Sequence, residues 1–465
     1  MELLHSSEQH YCLLVEYLMK YINLGLVNWQ KEKINMTQQI NTSNDPYIIV
    51  SSDSHAGLQC EEYRPYLDSA VHSEFDEYVK ERHENRRLTE EINGEYVEEW
   101  ESKNAEGLRG AYDPEVRDKE LDADGISGEI IFADGDAVTG MESPPFGAGL
   151  AAGQITDPRL AFAGAKAHNR WLEEFCATSP ARRAGVALLP ITHGVDEAVK
   201  EVEALAGKPG IRGVMIPTLW HESAPYGSDH YDKFWAACAE TGLVVHTHSG
   251  EADFPSYGEN IAMYVSEVAF WTHRALWQLL FSGKFDRFPG LKYCVVECGS
   301  WWVGDLLWKA DVNFGASWKI KKMSSRMKGL LTKLPSEYFG DSIFIGASTM
   351  SRYEIRERNR NGIDALMWGT DYPHPEGSWP NTAERLETDF QDVSIEDTRR
   401  LLGLNAIECY NLDTEGLTEV ANRIGPTPEK LNQNPDLRTS PTAKRDGRWW
   451  FDDYGIEWKG SESGH

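Results

Sequence analysis

Acid and imidazole side chains recur where short apolar runs of this chain end, and that is where its chemistry is to be sought. Asp53-Ser54-His55 follows the run Tyr47–Ser52, and His246-Thr247-His248-Ser249-Gly250 closes the run that starts at Leu243. Glu297-Cys298-Gly299 follows Lys292–Val296, and Gly369-Thr370-Asp371-Tyr372-Pro373-His374 follows Ala365–Trp368. Residues two apart on a strand share a face, so Asp53 pairs with His55 and His246 with His248. Imidazole plus carboxylate is the donor set of Zn²⁺, Mn²⁺ or Fe²⁺. A single histidine at a strand end is ordinarily just a satisfied polar residue. Four such ends delivering His or carboxylate together predict a metal centre.

Eight β-rich runs are available to position these groups: the four above and Glu129–Ala133, Gly185–Leu189, Gly213–Ile216 and Ile343–Gly346. Helical stretches such as His168–Ala177, Asp196–Ala206, Tyr231–Thr241 and Tyr264–Phe281 lie between most of them. Unbroken apolar runs alternating with amphipathic helices indicate a parallel sheet covered by helices. Eight strand–helix units predict an α/β fold of the (β/α)₈ TIM-barrel class, whose chemistry collects where strands run into the following loops. A doubly wound sheet would want a Gly-rich phosphate loop after the first strand, and SSDSHAG is not one.

The expected organisation is an N-terminal extension (1–45), a barrel (46–412) and a C-terminal tail (413–465). Residues 58–120 form a charged helical insertion after strand one, over one barrel mouth. Residues 8–30 have the pattern of an amphipathic helix, while Met36 opens a polar stretch that reads as a natural start, so the first 35 residues are either a surface helix or not native. The tail carries four prolines and then Arg448-Trp449-Trp450-Phe451, an extended segment docking on its own barrel or on a partner subunit.

Of the 465 residues, 41% are hydrophobic and 26% charged, which excludes global disorder. Acids outnumber bases 74 to 46, for a formal charge of −28. That field repels phosphate backbones and anionic lipid, so a small-molecule substrate is expected and neither nucleic acid nor a membrane is. A homo-oligomer is expected. Seven scattered cysteines without CxxC spacing, and no basic-then-apolar leader, point to free thiols in the cytoplasm.

The strings DSHAG, GLVVHTHSGE, FDRFPGLKYCVVECGSWW, MWGTDYPHPEG and LLGLNAIECYNL resemble the amidohydrolase superfamily. Within it they are most similar to the amidohydrolase-related branch that includes aminocarboxymuconate-semialdehyde decarboxylase and the resorcylate decarboxylases. The resemblance spans residues 46–412. It implies a metal held by Asp53, His55, His248 and Asp371, and Asp371 also as the proton carrier. Members with two histidines after strand one would match His55 and Gly57, so Asp53 must supply the other contact. Decarboxylases of the branch have His at the end of strand six, where this chain has Glu297. Pro217-Thr218 after strand four offers no Lys to bridge two metals, which leaves Glu297 as the extra ligand for any second ion.

Each residue also has a plainer reading. Asp371 is a ligand or a helix N-cap. His246 lies deeper than His248, as a second ligand or as a partner behind the ligands. Glu297 is a ligand, a proton shuttle or a structural partner for Arg274. His273, mid-helix with Ala269 and Trp277 one turn away, suits packing better than metal binding. His193 and His221 follow strands three and four with only position to recommend them. Trp301, Trp302 and His374 are placed to line the substrate pocket.

The function expected is that of a metal-dependent hydrolase, using a divalent metal (zinc foremost, manganese or iron otherwise) to activate water against an amide, ester, lactone or thioester. Asp371 and Glu297 would be its catalytic carboxylates. The alternative is metal-dependent, non-oxidative decarboxylation of an aromatic or unsaturated acid. An ionised Glu297 weighs toward hydrolysis, because it would repel a substrate carboxylate by about 4 kcal/mol at 4 Å and an effective dielectric of 20.

Overall fold

The computed structural model describes residues 44–133, 143–150, 157–258, 260–317 and 330–433. The suggested helix at 8–30 and the aromatic cluster 448–451 lie outside the described residues. Contacts divide the chain into Met1–Asp45 and a compact unit Pro46–His465.

Eight parallel strands pair in chain order: β1 Val50–His55, β2 Gly128–Phe132, β3 Arg183–Leu188, β4 Ile211–Met215, β5 Val244–His248, β6 Tyr293–Val296, β7 Ile343–Gly346 and β8 Leu366–Met367. A Ser54–Tyr372 bridge closes β8 onto β1, completing a (β/α)₈ barrel. Leaving aside short helical turns, the helices are α1 His72–Leu108, α2 Pro114–Asp124, α3 Pro158–Ala177, α4 Val195–Leu205, α5 Asp232–Thr241, α6 Ile261–Phe281, α7 Val303–Ser317, α8 Thr382–Phe390, α9 Asn405–Tyr410 and α10 Thr414–Ile424. None of the described helices is long and apolar enough to cross a membrane.

Two apolar layers follow from alternation along the strands. Val50, Ile130, Val186, Met215, Val244, Cys294, Phe344 and Met367 join an inner cluster that fills the barrel. Their neighbours Ile49, Ile131, Ala187, Val214, Val245, Val295, Ile345 and Leu366 join the outer cluster under the helices. Every strand residue except Arg212 is buried, which is why the strands read as continuous apolar runs. Cys60, Cys176, Cys238, Cys294, Cys298 and Cys409 are all buried free thiols.

Two regions lie outside the repeat, and the second differs from the sequence reading. The insertion is helical as expected, in α1 and α2, and Tyr372 after β8 donates its hydroxyl to Gly107 O at 2.6 Å. The segment after residue 412 is not extended at first. It forms α10 and a short turn, Pro428–Leu431, with Leu417, Ala421 and Leu431 buried. Asp413 caps α10 by accepting from Gly416 N, and the prolines stand after the helix, where they cannot interrupt it.

Candidate metal centre and active site

Strand β1 carries the first donors through an irregularity. Its register against β2 shifts between Ser51 and Ser54. Strict alternation from Val50 would turn Ser52 and Ser54 inward; the bulge turns Asp53 and His55 to the interior instead. Ser51 stabilises the distortion by donating to Asp53 O at 2.6 Å. On β5 no bulge intervenes, and Val244, His246 and His248 all face inward at successive depths.

At the mouth these side chains meet. Asp53, His55, His248 and Glu297 bring one donor atom each within 4.8 Å of one another. Asp371 and His374 form an adjoining group with His55. His248 Nε2 lies 3.2 Å from Asp53 Oδ1, and its Nδ1 lies 3.1 Å from Glu297 Oε2. His55 Nδ1 faces Ala133 O at 3.2 Å, which fixes the tautomer with the lone pair on Nε2. That Nε2 stands 3.6 Å from Asp53 Oδ1 and 3.4 Å from Asp371 Oδ1, beyond ordinary hydrogen-bond reach. His374 stacks on His55 with centroids 4.3 Å apart.

The backbone is strained to make this arrangement. Glu297, Ser348 and Asp371, just after β6, β7 and β8, have φ of 53°, 54° and 59°. Left-handed non-glycine residues cost about 1–3 kcal/mol each and concentrate at functional sites. Ser348 lowers the pKa of Asp53 and was not singled out from sequence; its only signal there is a polar residue soon after an apolar strand.

Three carboxyls, two of them buried and one partly open, set the electrostatics. Asp53, His55, His248 and Asp371 are at most 3% exposed, whereas the Glu297 side chain keeps 25% of its surface open and faces the mouth. Burial pushes Asp371 well above the usual carboxylate range; His374 opposes this and the charge of Asp53 adds to it. Burial also raises Glu297, against the pull of His248. Burial works against the Asp53 anion too, but His248, His55 and Ser348 together hold its pKa below the ordinary value. His248 is raised to about 9: burial opposes its charge, and the flanking Asp53 and Glu297 overcome it.

A divalent cation fits this set. Asp53 Oδ2 and Asp371 Oδ1 are buried and find no hydrogen-bond donor among the described residues, an expensive state that a cation would relieve. Carboxylate and imidazole are also the donor chemistry a first-row divalent ion takes.

Other expected residues lie elsewhere. His246 is one layer down, with Nε2 2.8 Å from Tyr410 Oη, Nδ1 3.2 Å from Val214 O, and its ring stacked on Tyr410. Both nitrogens are engaged, so it is not in the donor group; Gly213 is needed beside it, since a Cβ there would collide with the imidazole. His273 is a packing residue: it accepts from Trp277 Nε1 at 2.8 Å and stacks on Trp302 at 4.2 Å. Trp302 is buried in the outer layer, its indole N–H directed at Cys298 O and Gly299 O, so it does not line a substrate pocket. Trp301 is half exposed. Glu297 partners His248 rather than Arg274.

Behind the donors lies a buried support that sequence reasoning missed. Arg117 of α2 forms a two-pronged pair with Glu129 of β2, both contacts at 2.7 Å, and also donates to His55 O and Gly110 O. Only its place in a charged helix was visible, and such residues are ordinarily solvated.

The amidohydrolase family profile matches residues 139–412, more than half of the chain. The chain belongs to the amidohydrolase family. No curated protein matches it. An amidohydrolase from Mycobacterium avium subsp. paratuberculosis superposes with a TM-score of 0.59 at 17% identity, covering 79% of this chain and 99% of that one. The 5-carboxyvanillate decarboxylase of Novosphingobium aromaticivorans, complexed with manganese and 4-hydroxy-3-methoxy-5-nitrobenzoic acid, gives 0.58 at 17% identity, covering 80% and 100%. The 2,6-dihydroxybenzoate decarboxylase from Rhizobium gives 0.52 at 18%, covering 78% and 99%. At these identities the likeness is one of fold.

Proposed function

We propose that this amidohydrolase is a divalent-metal-dependent decarboxylase of a small, hydroxylated aromatic carboxylic acid. The observation that carries the reading is a charge count. Asp53, Glu297 and Asp371 bring three carboxyls to the mouth, Asp53 and Glu297 in one four-donor group and Asp371 in the next, with Glu297, His374 and the exposed Glu376. Full ionisation would leave net negative charge in a buried site, which is costly, so one carboxyl keeps its proton. Asp371 is raised by burial and by the charge of Asp53, and lies on the side of His374. A carboxylic acid held neutral in that position is a proton donor, which decarboxylation needs and water activation does not. The barrels of the two decarboxylases above, one of them with manganese bound, support the same choice.

Asp53, His55, His248 and Glu297 would hold the ion, and the carboxylate-rich set suits manganese better than zinc. The ion would supply a positive anchor for substrate oxygens and draw electron density from the ring. The residues do the rest. When the bond to the carboxylate breaks, its electron pair stays on the ring carbon and Asp371 protonates that carbon, with His374 beside Asp371 to restore the proton. Glu297 faces the mouth, and as a ligand of the ion it would lose the repulsion expected of a free carboxylate there.

Hydrolysis is the second reading, favoured by one observation: Glu297 is the accessible carboxylate and touches His248, as a base that activates water would. A screen of hydroxybenzoate carboxylates against esters, amides and thioesters separates the two. Decarboxylation run in D₂O is expected to leave one deuterium on the carbon that lost CO₂, and Asp371→Asn to slow it by about 10²–10⁴-fold. Ester or thioester cleavage without CO₂ release from any acid would overturn the proposal.

A further inference from the structure

A second feature stands beside the mouth, between the loops that follow β4 and β5. A cavity of about 620 Å³ is lined by Leu219, Trp220, His221, Asp253, Trp271 and Arg274, among others. The Arg274 guanidinium lies 5.0 Å from the centroid of the Trp220 ring and 5.4 Å from that of Trp271. Among the described residues no hydrogen bond or ion pair engages it, although the protein carries many more acids than bases. Cation–π contact covers the faces of a guanidinium and leaves its in-plane N–H groups to a planar, two-oxygen acceptor.

The surroundings are built rather than incidental. His221, at φ 43°, places Nε2 3.1 Å from Oε1 of the fully buried Glu251, whose other oxygen accepts from Leu219 N at 3.0 Å. Trp271 is fixed by donating to Tyr257 Oη at 2.5 Å. The cavity is thus walled by positioned side chains, with one uncommitted cation and two indole surfaces. Asp253 is the carboxylate on its lining and would oppose a second negative charge on a ligand.

We propose that this cavity is a carboxylate-binding site, separate from the donor cluster, in which Arg274 receives the carboxylate of an aromatic monoacid edge-on and Trp220 and Trp271 pack against its ring. It holds a carboxylic acid without need of the metal, so it stands or falls independently of the decarboxylase reading.

Benzoate is the probe, titrated into the full-length protein as purified and again after chelation, followed by calorimetry and tryptophan fluorescence. One benzoate should bind after chelation and quench tryptophan emission. Arg274→Gln should weaken it at least tenfold, and Arg274→Lys, which keeps the charge on the indoles but loses the fork, should weaken it nearly as much. Phthalate should bind more weakly than benzoate because of Asp253. If Arg274→Gln does not fold, Arg274→Lys decides. Benzoate binding that disappears on chelation, or survives unchanged in a folded Arg274 variant, overturns the proposal.

Discussion

Arg117 donates from Nη1 to the main-chain carbonyl of His55 at 2.9 Å, while its other nitrogens grip Glu129. An ion pair with neither partner exposed therefore holds the end of β1, and the candidate ligand at that end inherits its position from a helix of the insertion. Arg117→Met should cost about 3–5 kcal/mol in urea unfolding, because Glu129 is left buried and unpaired. Arg117→Met with Glu129→Met should regain much of that stability yet still bind metal more weakly than wild type, since the bond to His55 is not restored. A double variant with wild-type metal affinity would show that Arg117 does not position His55.

The two histidines of β5 should behave differently. His248→Ala is expected to lose metal by more than the roughly 10–100-fold typical of a missing outer partner. His246→Gln should keep its metal content and instead lower the melting temperature, because Tyr410 Oη and Val214 O lose their partner. Metal analysis of the two purified variants checks both; loss of metal in His246→Gln alone would reverse the assignment.

His168 sets part of the acid limit of the fold. It is fully buried against Tyr63 Oη at 2.9 Å, and burial lowers its pKa from 6.5 to about 3. Between those values the unfolded chain binds a proton that the folded chain refuses. Stability is therefore lost as pH falls from 6.5 toward 3, by up to about 1.4 kcal/mol per pH unit from this residue. Asp124 acts in the opposite sense, since burial raises it to about 6 and the folded state keeps its proton there. The comparison of His168→Gln with wild type across pH 4–7 (about this window) isolates the histidine: the variant should show a shallower loss.

Asn432 closes the far end of the barrel body. It donates to Val393 O and Thr398 Oγ1, both at 2.9 Å, and to Phe390 O at 3.1 Å, and it accepts from Tyr47 Oη. Asn432→Ala should destabilise by at least about 1–3 kcal/mol in denaturant unfolding while leaving metal content unchanged.

The barrel was legible because all eight strands are buried on both faces and so announce themselves as apolar runs. That strand ends meet at one mouth was legible from the barrel. The donor set expected there was Asp53, His55, His248 and Asp371, whereas the four donor atoms that lie together are those of Asp53, His55, His248 and Glu297, with Asp371 in an adjoining group. What was hidden depends on partners remote in sequence. Nothing near His246 says that Tyr410 will occupy its nitrogen, and alternation alone assigns it the same face as His248. The bulge in β1 that turns Asp53 and His55 inward leaves no mark in a run of serines. Trp302 looked like pocket lining because it follows β6, yet its indole N–H is drawn to Cys298 O and its ring to His273, which carries it into the outer layer.

The bond from Tyr47 N to Pro426 O, 2.8 Å long, has a topological consequence. Together with the Tyr47–Asn432 contact it makes neighbours of the first and last segments of the barrel body, so the ring of eight units carries no intrinsic starting point. A short peptide bridging the two segments would leave every strand beside the neighbours it has now. A new opening could then be cut at an exposed turn such as Gly207, where a backbone in the left-handed region packs against nothing. Chain order in this barrel records how it is synthesised; the architecture itself is cyclic.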